Sequence, residues 1–177
     1  MNLSRYFFLS IYYGLARYLP SRDSKIGGWI GWYMRNLCAR HLFKYCSPTA
    51  NIERMAYFGG GRDIEIGHRS GLGIGCHVPP NIKIGNNVMM GPHCFVLQNT
   101  THIFDRIDIP IIDQGSRPIE RRTVIGNDVW IGRQCIIMCG KQIGDHSIIA
   151  AGSVVCRDVA PWIIAGGNPI REIRKRK

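Results

Sequence analysis

The sequence predicts an all-β fold, a parallel β-helix whose short strands wind around a triangular core. Three observations predict it: aliphatic residues recur every six positions, glycine or alanine often follows them, and 21 of the 177 residues are glycine. A period of six fits neither a helix nor a single strand, and a short fixed repeat is typical of a solenoid. Each unit would form a strand and a turn, so three units would complete one coil.

The repeat runs in two blocks of inward-facing positions. The first is Ile66, Leu72, Val78, Ile84, Met90 and Val96, and the second is Ile125, Ile131, Ile137, Ile143, Ile149 and Val155. Ile52 and Phe58 extend the first block backwards, and the next step of eight predicts a two-residue bulge at glycines 59–61. Cys76 and Cys94 are 18 residues apart, so we expect them to stack inside adjacent coils. Lys141 breaks the apolar pattern, which places it at a corner or at a subunit contact.

The positive charge is concentrated at the two ends of the chain. The net charge is +11, yet residues 1–45 hold seven Lys or Arg against one acid and residues 171–177 hold five against one. The segment between them is nearly neutral. This distribution argues against a nucleic-acid-binding core and predicts no nucleic-acid partner.

The N-terminal segment predicts a helical cap over residues 1–48. Its apolar run from residue 6 to 19 is too short and too polar to span a membrane. The segment either covers the end of the β-helix or also contacts a membrane surface through Arg5, Tyr12, Tyr13, Arg17 and Trp29. Seven cysteines, an odd number without a C-x-x-C pair or an export signal, indicate a reduced, cytoplasmic protein.

A long loop interrupts the repeat at a histidine. The slot after Val96 holds His102, and the six-residue rhythm is lost until about residue 123. A loop of this length in a regular solenoid usually has a function, so we predict a catalytic loop over 102–123 with His102 as its reactive residue. A purely structural histidine is the alternative. The other histidines fall in the cap, at turns or at outward positions, where structural or surface roles are expected.

Two segments resemble a known family. The run VWIGRQCIIMCGKQIGDHSIIAAGSVVCRDVAPWIIAGGNP and the loop NTTHIFDRIDIP are similar to the hexapeptide-repeat O-acetyltransferases, nearest to the galactoside, maltose and surface-polysaccharide enzymes of bacteria. The resemblance implies a left-handed β-helix over 49–165 and a basic tail over 166–177. It also implies a homotrimer that binds acetyl-CoA between protomers and needs no metal.

The same resemblance assigns roles to individual residues. His102 would be the general base that takes the proton of a sugar hydroxyl as the hydroxyl attacks the thioester. The residues that match the family's coenzyme contacts are Arg133, Ala151, Cys156, Arg157, Arg171 and Arg174. Trp130 stands between two inward-facing residues, so its ring is expected to face outward toward the coenzyme groove. The residues that could orient the imidazole or hold the acceptor are Asn99, Asp105 and Asp108, although turn capping and solvation are equally good explanations. Trimer packing is the alternative role of Trp130.

Other functions remain as alternatives at this point. A zinc enzyme of the same fold, such as a γ-class carbonic anhydrase, needs three converging histidines, and the histidine spacing here does not provide them. A xenobiotic or antibiotic O-acetyltransferase and a non-catalytic β-helix scaffold also fit the repeat. We therefore expect an acetyl-CoA-dependent O-acetyltransferase that acts on a sugar, a polysaccharide precursor or a lipid-linked glycan.

Overall fold

The computed structural model describes residues 3–98 and 100–177, which form two helices followed by short strands. Helix α1 spans Leu3–Gly14 and α2 spans Gly28–Leu42, with 3-10 turns at Ala16–Tyr18 and, in the loop, Ile111–Asp113. The strands are, in chain order, β1 Tyr45–Cys46, β2 Asn51–Ile52, β3 Ile64–Ile66, β4 Gly71–Leu72, β5 Ile82–Ile84, β6 Met89–Met90, β7 Phe95–Val96, β8 Thr100–His102, β9 Ser116–Pro118, β10 Thr123–Ile125, β11 Trp130–Ile131, β12 Ile136–Ile137, β13 Gln142–Ile143, β14 Ile148–Ile149, β15 Val154–Val155, β16 Ile163–Gly166 and β17 Arg171–Lys175.

The strands stack into three parallel faces. The first face contains β1, β3, β5, β10 and β13; the second contains β2, β4, β6, β11, β14 and β16; the third contains β7, β12 and β15. Ile66 pairs with Ile84, Ile84 with Ile125, and Ile125 with Ile143. Residues 18 positions apart therefore lie side by side, as the six-residue repeat predicts, except at the loop, at the glycine bulge and after β15.

The core consists of the residues that the repeat predicts to face inward. Every aliphatic position of the two blocks is buried. Cys76, Cys94 and Cys135 stack as free thiols, each interacting with its neighbour in the next coil, which confirms the predicted stacking of Cys76 and Cys94. Lys141 is only half-buried, so its ammonium group keeps contact with water.

The predicted bulge accommodates the cap. Gly59 and Gly61 have φ angles of +56° and +73°, and a side chain on Gly61 would lie 2.8 Å from the ring of Phe43. The hydroxyl of Tyr13 donates to the carbonyl of Gly59 at 2.9 Å. A second slip was not predicted: Val159 pairs with Ile143, so the inward step after β15 is four residues rather than six.

The two helices cover the first coil through buried polar contacts. The fully buried hydroxyl of Tyr12 donates to the Ala56 carbonyl at 2.9 Å. The buried guanidinium of Arg35 donates to the Ile52 carbonyl at 2.6 Å and lies 3.9 Å from Glu53. Because these donors would be costly to bury without acceptors, they fix the position of the cap on the first coil.

The structure corrects the predicted membrane-facing residues. Tyr12 is buried, and Arg5 turns inward to donate to the Leu42 carbonyl at 2.7 Å. Tyr13 and Arg17 are half-buried, whereas Trp29 is 72% exposed. Helical periodicity explains the difference, because Tyr12 lies on the side of α1 that packs on the β-helix and Trp29 lies on the outer side of α2. Within the described residues, neither helix is long and apolar enough to cross a bilayer.

Both ends of the β-helix differ in detail from the predicted segments. Strand β1 begins at Tyr45, inside the segment expected to form the cap. Residues expected to form a basic tail fold back as β17, which pairs antiparallel with β16. The tail is thus part of the second face, and its arginines are held by a strand.

Candidate active site

His102 lies on a hairpin that leaves the β-helix at one corner. The loop departs after β7 on the third face and returns at β10 on the first face. Within it, β8 and β9 pair antiparallel and place His102 opposite Ser116. The imidazole is exposed, and among the described residues none forms a hydrogen bond with its ring. An exposed imidazole is accessible to a bound hydroxyl and can accept its proton.

Two arginines fix the returning end of the loop. Arg121 forms an ion pair with Asp158 at 2.6 Å, and Arg122 forms one with Glu65 at 3.1 Å. Arg122 also donates to the carbonyls of Asp63 and Ile82. Hydrogen bonds, first from Lys44 and then from Arg122, hold the pKa of Glu65 below its usual range. The hairpin is therefore tied to the first face although its tip is exposed.

The predicted acceptor-binding residues of the loop are engaged in local ion pairs. Asp105 lies 3.4 Å from the guanidinium of Arg117, and Asp108 pairs with Arg106, which lowers the pKa of Asp108. Both carboxylates are exposed and neither contacts His102. Asn99, the third candidate, lies outside the described residues.

Four of the predicted coenzyme-binding residues lie on the C-terminal coils of the β-helix, after the loop. Trp130, on β11 of the second face, is 52% exposed and turns its ring outward as predicted. Arg133 and Ala151 follow at the next corner, where Gly152 donates its N–H to the Arg133 carbonyl at 2.9 Å. A side chain on Gly132 would come within 2.4 Å of the Ala151 nitrogen. The coils are therefore packed closely at this corner, next to Trp130. Cys156 lies at the following corner, after β15.

Arg157 and Arg171 converge near the C-terminal strand. They line a pocket of about 220 Å³ together with Ile163 and Ile170. Arg174, also on β17, lies opposite Ile164. Cys156 and Arg157 occupy the same corner of the triangle as the His102 loop, whereas Arg133 and Ala151 occupy the preceding corner. One chain thus brings together two pairs of predicted residues but does not gather them all at one site.

The predicted coenzyme-binding arginines are free to bind an anion. In the described part of the chain, Arg133, Arg157, Arg171 and Arg174 form no ion pair with a carboxylate and are exposed. The arginines that do pair with carboxylates are Arg35, Arg106, Arg117, Arg121, Arg122 and Arg176. The unpaired set therefore keeps guanidinium groups available for an anion, although Asp158 and Glu172 line the same pocket as Arg157 and Arg171.

A polar cleft of about 990 Å³ lies between α2 and the N-terminal strands of the second face. The sequence did not predict it. Trp32 lines it, its indole N–H donating to the Ala50 carbonyl at 3.2 Å and the guanidinium of Arg22 lying 5.6 Å from its ring centre. Asn51 and Glu53 are joined by a 3.0 Å hydrogen bond on the cleft wall. These side chains meet only because α2 packs on β2, and no sequence motif marks that contact.

A cluster near the C terminus anchors β17. The carboxylate of Asp128 lies 2.9 Å from the His146 ring and 2.9 Å from the Arg176 guanidinium. These two hydrogen bonds, that of His146 first, lower the pKa of Asp128. The His146 ring stacks on Trp162 at 4.1 Å. Because Arg176 directly follows β17, this cluster holds the strand that carries Arg171 and Arg174.

Comparison with known proteins identifies the family. The family profile described as bacterial transferase hexapeptide (six repeats) matches residues 122–157. Over 143 residues the chain is 33% identical to the galactoside O-acetyltransferase of Escherichia coli K12, a match that covers 80% of this chain and 68% of that protein. This chain belongs to the hexapeptide-repeat acetyltransferases. The chain is therefore an enzyme that transfers acetyl groups, as the resemblance implied.

Solved structures agree with this assignment to the hexapeptide-repeat acetyltransferases. A galactoside acetyltransferase in complex with coenzyme A superposes with a TM-score of 0.77 at 26% identity, covering 99% of this chain and 80% of that one. A maltose O-acetyltransferase from Clostridium difficile 630 superposes with a TM-score of 0.74 at 26% identity, covering 99% and 90%. These neighbours imply that the parallel coils wind left-handed. A chloramphenicol acetyltransferase from Agrobacterium fabrum is 56% identical over 54 residues, which cover 30% of this chain and 26% of that protein.

Proposed function

We propose that this acetyltransferase transfers the acetyl group of acetyl-CoA to a hydroxyl of a sugar or polysaccharide precursor, with His102 as the general base. The observation that supports this most directly is the exposed imidazole on a hairpin that interrupts the repeat. A relative whose match covers 80% of this chain is a galactoside O-acetyltransferase. A lipid-linked glycan is included among the acceptors because it presents the same hydroxyl groups.

His102 moves the single proton of the reaction. Acetyl-CoA supplies a thioester, whose carbonyl carbon is attacked by the acceptor oxygen and whose sulfur leaves as a thiolate. The neutral imidazole takes the hydroxyl proton as the new C–O bond forms, and the resulting imidazolium returns that proton to the leaving sulfur. A positioned general base contributes roughly 10²–10⁴-fold to a rate of this kind. No cysteine needs to act as a nucleophile.

The predicted donor-binding residues suit a coenzyme that is partly apolar and strongly anionic. The close-packed backbone beside Trp130 would hold the pantetheine arm, with Arg133, Ala151 and Cys156 along it. The unpaired guanidinium groups of Arg157, Arg171 and Arg174 would bind the phosphates. Strand β17, which Arg176 anchors, would keep two of these arginines in place.

The polar cleft, which lies on earlier coils than the donor residues, is the proposed acceptor site. Trp32 offers an aromatic surface, and Arg22, Asn51, Glu53 and Arg69 offer hydrogen-bonding groups of both signs. Sugar rings present apolar faces and hydroxyl edges, so an aromatic surface among polar side chains fits them. The cap would then select the acceptor, because it supplies Arg22 and Trp32.

Outward-facing rows on two of the three faces favour a trimer. The outward residues of the second face include Met89, Trp130, Ile148 and Ile164, and those of the third include Tyr57, His77, Phe95, Ile136 and Val154. The first face is more polar, and its outward row is Tyr45, Glu65, Lys83, Val124 and Gln142. In a cyclic trimer, the second face of one protomer would cover the third face of the next. The His102 loop would then lie near the cleft of a neighbouring chain.

The decisive assay measures coenzyme A release from acetyl-CoA with His102→Ala and a panel of nucleotide sugars and lipid-linked oligosaccharides. We expect His102→Ala to lower kcat by roughly 10²–10⁴-fold while leaving the affinity for acetyl-CoA similar. His93→Ala, an exposed histidine nine residues earlier, is the matched control and should retain activity. Equal rates for wild type and His102→Ala would reject the assignment, and no turnover in either would favour a scaffold.

Antibiotic acetylation is the second candidate. The 56% identity to a chloramphenicol acetyltransferase favours it, but that match spans only 26% of the relative. Chloramphenicol therefore belongs in the acceptor panel. A kcat/KM for chloramphenicol above that for every sugar would replace the proposed acceptor class.

A further inference from the structure

The outer side of the cap exposes a set of large apolar side chains, here named the cap surface. Its members are Leu3, Tyr6 and Phe7 of α1, Ile26 in the turn before α2, and Trp29, Ile30 and Tyr33 in the first turns of α2. Their spacing of three or four residues places them on one side of each helix. Leu3 and Ile26 are 84% and 88% exposed. Apolar clusters of this size on a protein surface usually mark an interaction site.

The cap surface is not needed to cover the core. Both helices use their opposite sides for that purpose, as the buried Tyr12 and Arg35 show. The Phe8 ring stacks on His41 at 3.8 Å and Arg35 donates to the Leu19 carbonyl at 3.0 Å, so α1 and α2 run antiparallel. The α1 members of the cap surface therefore lie near the end of α2, and its α2 members lie near the end of α1. Because both inner sides pack on the first coil, the cap surface faces away from the β-helix at its N-terminal end.

Positive charge surrounds the cap surface. Residues 1–45 contain seven Lys or Arg and one acid, Asp23. Arg5, Arg17 and Arg35 direct their guanidinium groups at backbone carbonyls. Two further cations, Lys25 and Arg40, are exposed and, among the described residues, form no ion pair with a carboxylate. Arg22 is exposed as well, but its guanidinium lies over Trp32 in the polar cleft and is not assigned to the cap surface.

We infer that the cap surface docks on an anionic membrane. Its aromatic and aliphatic side chains would enter the headgroup boundary, and its cations would bind lipid phosphates. The interaction would be peripheral, since neither described helix can cross a bilayer. A second copy of the chain is a poorer partner, because docking through the same surface would bring two cationic regions together. Docking would place the acceptor cleft, which the cap borders, close to the lipid.

Flotation of the full chain with phosphatidylcholine vesicles, with and without phosphatidylglycerol, tests this inference. We expect binding to the anionic vesicles to be about tenfold tighter and to weaken with added salt. Trp29→Glu combined with Ile30→Glu should lower that binding about tenfold or more. Ile107→Glu combined with Ile112→Glu, which places the same two charges on exposed residues of the loop, is the matched control and should bind as wild type does.

Two further measurements separate docking from misfolding and from self-association. Lys25→Gln with Arg40→Gln removes charge without altering the apolar side chains, and it should weaken binding to anionic vesicles alone. The Trp29 and Ile30 variant should keep its circular dichroism and its activity on a soluble acceptor. Wild-type protein that floats with neither vesicle, or equally with both, would overturn the inference. A change in the sedimentation mass of that variant, with vesicle binding unaltered, would assign the surface to contacts between copies.

Discussion

At the scale of single residues, burial separates the cysteines into two groups. Burial raises the pKa of the Cys38 thiol to about 11 and that of Cys46 to about 12, so little reactive thiolate exists at neutral pH. Cys139 and Cys156 are half-exposed. We expect iodoacetamide to label these two in the folded protein and the five buried thiols only after unfolding.

The labelling of Cys156 also tests the donor site. Desulfo-coenzyme A, which has no thiol to consume the reagent, should slow the alkylation of Cys156 about tenfold at ten times its Kd. Peptide mass spectrometry would give the rate at each cysteine. His102→Ala should show the same protection, because the imidazole acts on the acceptor and not on coenzyme binding. Unchanged labelling of Cys156 at saturating ligand would remove it from the donor site.

At the scale of elements, the ion pair between Arg122 and Glu65 connects the catalytic hairpin to the first face. Arg122→Gln should lower the free energy of unfolding by roughly 1–2 kcal/mol, because the charge of the partly buried Glu65 loses one of its two cationic partners. Arg106→Gln, which breaks an exposed pair inside the loop, should change it much less, because water screens both partners. Guanidinium unfolding curves of both variants give the comparison.

The stability difference between wild type and Arg122→Gln should depend on pH, because the pKa of Glu65 is lowered in the fold. A carboxylate with a depressed folded-state pKa stabilises the fold above its unfolded-state pKa and loses this contribution as the pH falls through the folded-state value. The difference in free energy of unfolding between wild type and Arg122→Gln should therefore be largest at neutral pH and become smaller in acid. A gap that is constant from neutral pH into that acid range would mean that Arg122 acts through its packing and not through Glu65.

The elements also show which features the sequence encodes locally. Ile131 and Ile149 must face inward to be buried, so their period reveals the coils, and His102 is conspicuous because it occupies such a slot. The cleft at Trp32 and Asn51 depends on a contact between α2 and β2 that no local pattern records. Strand β17 was missed for the same reason, because its charged sequence has no repeat and pairs only with β16.

At the scale of the whole molecule, the proposed site combines two regions that lie apart in one chain. The His102 loop leaves the corner between the third and first faces, whereas the acceptor cleft lies on the second face. If the His102 loop of one protomer serves the cleft of its neighbour, two inactive variants can complement each other. Trp32→Ala with Arg69→Ala should inactivate the cleft, and His102→Ala should inactivate the loop. After the two are unfolded and refolded together in equal amounts, about one quarter of the sites would pair an intact loop with an intact cleft. Refolding each variant alone is the control and should restore nothing. A site within a single chain could never combine an intact loop with an intact cleft in this mixture. Recovery of about a quarter of wild-type activity would therefore require a site shared between protomers. Activity no higher than in the controls would contradict a shared site.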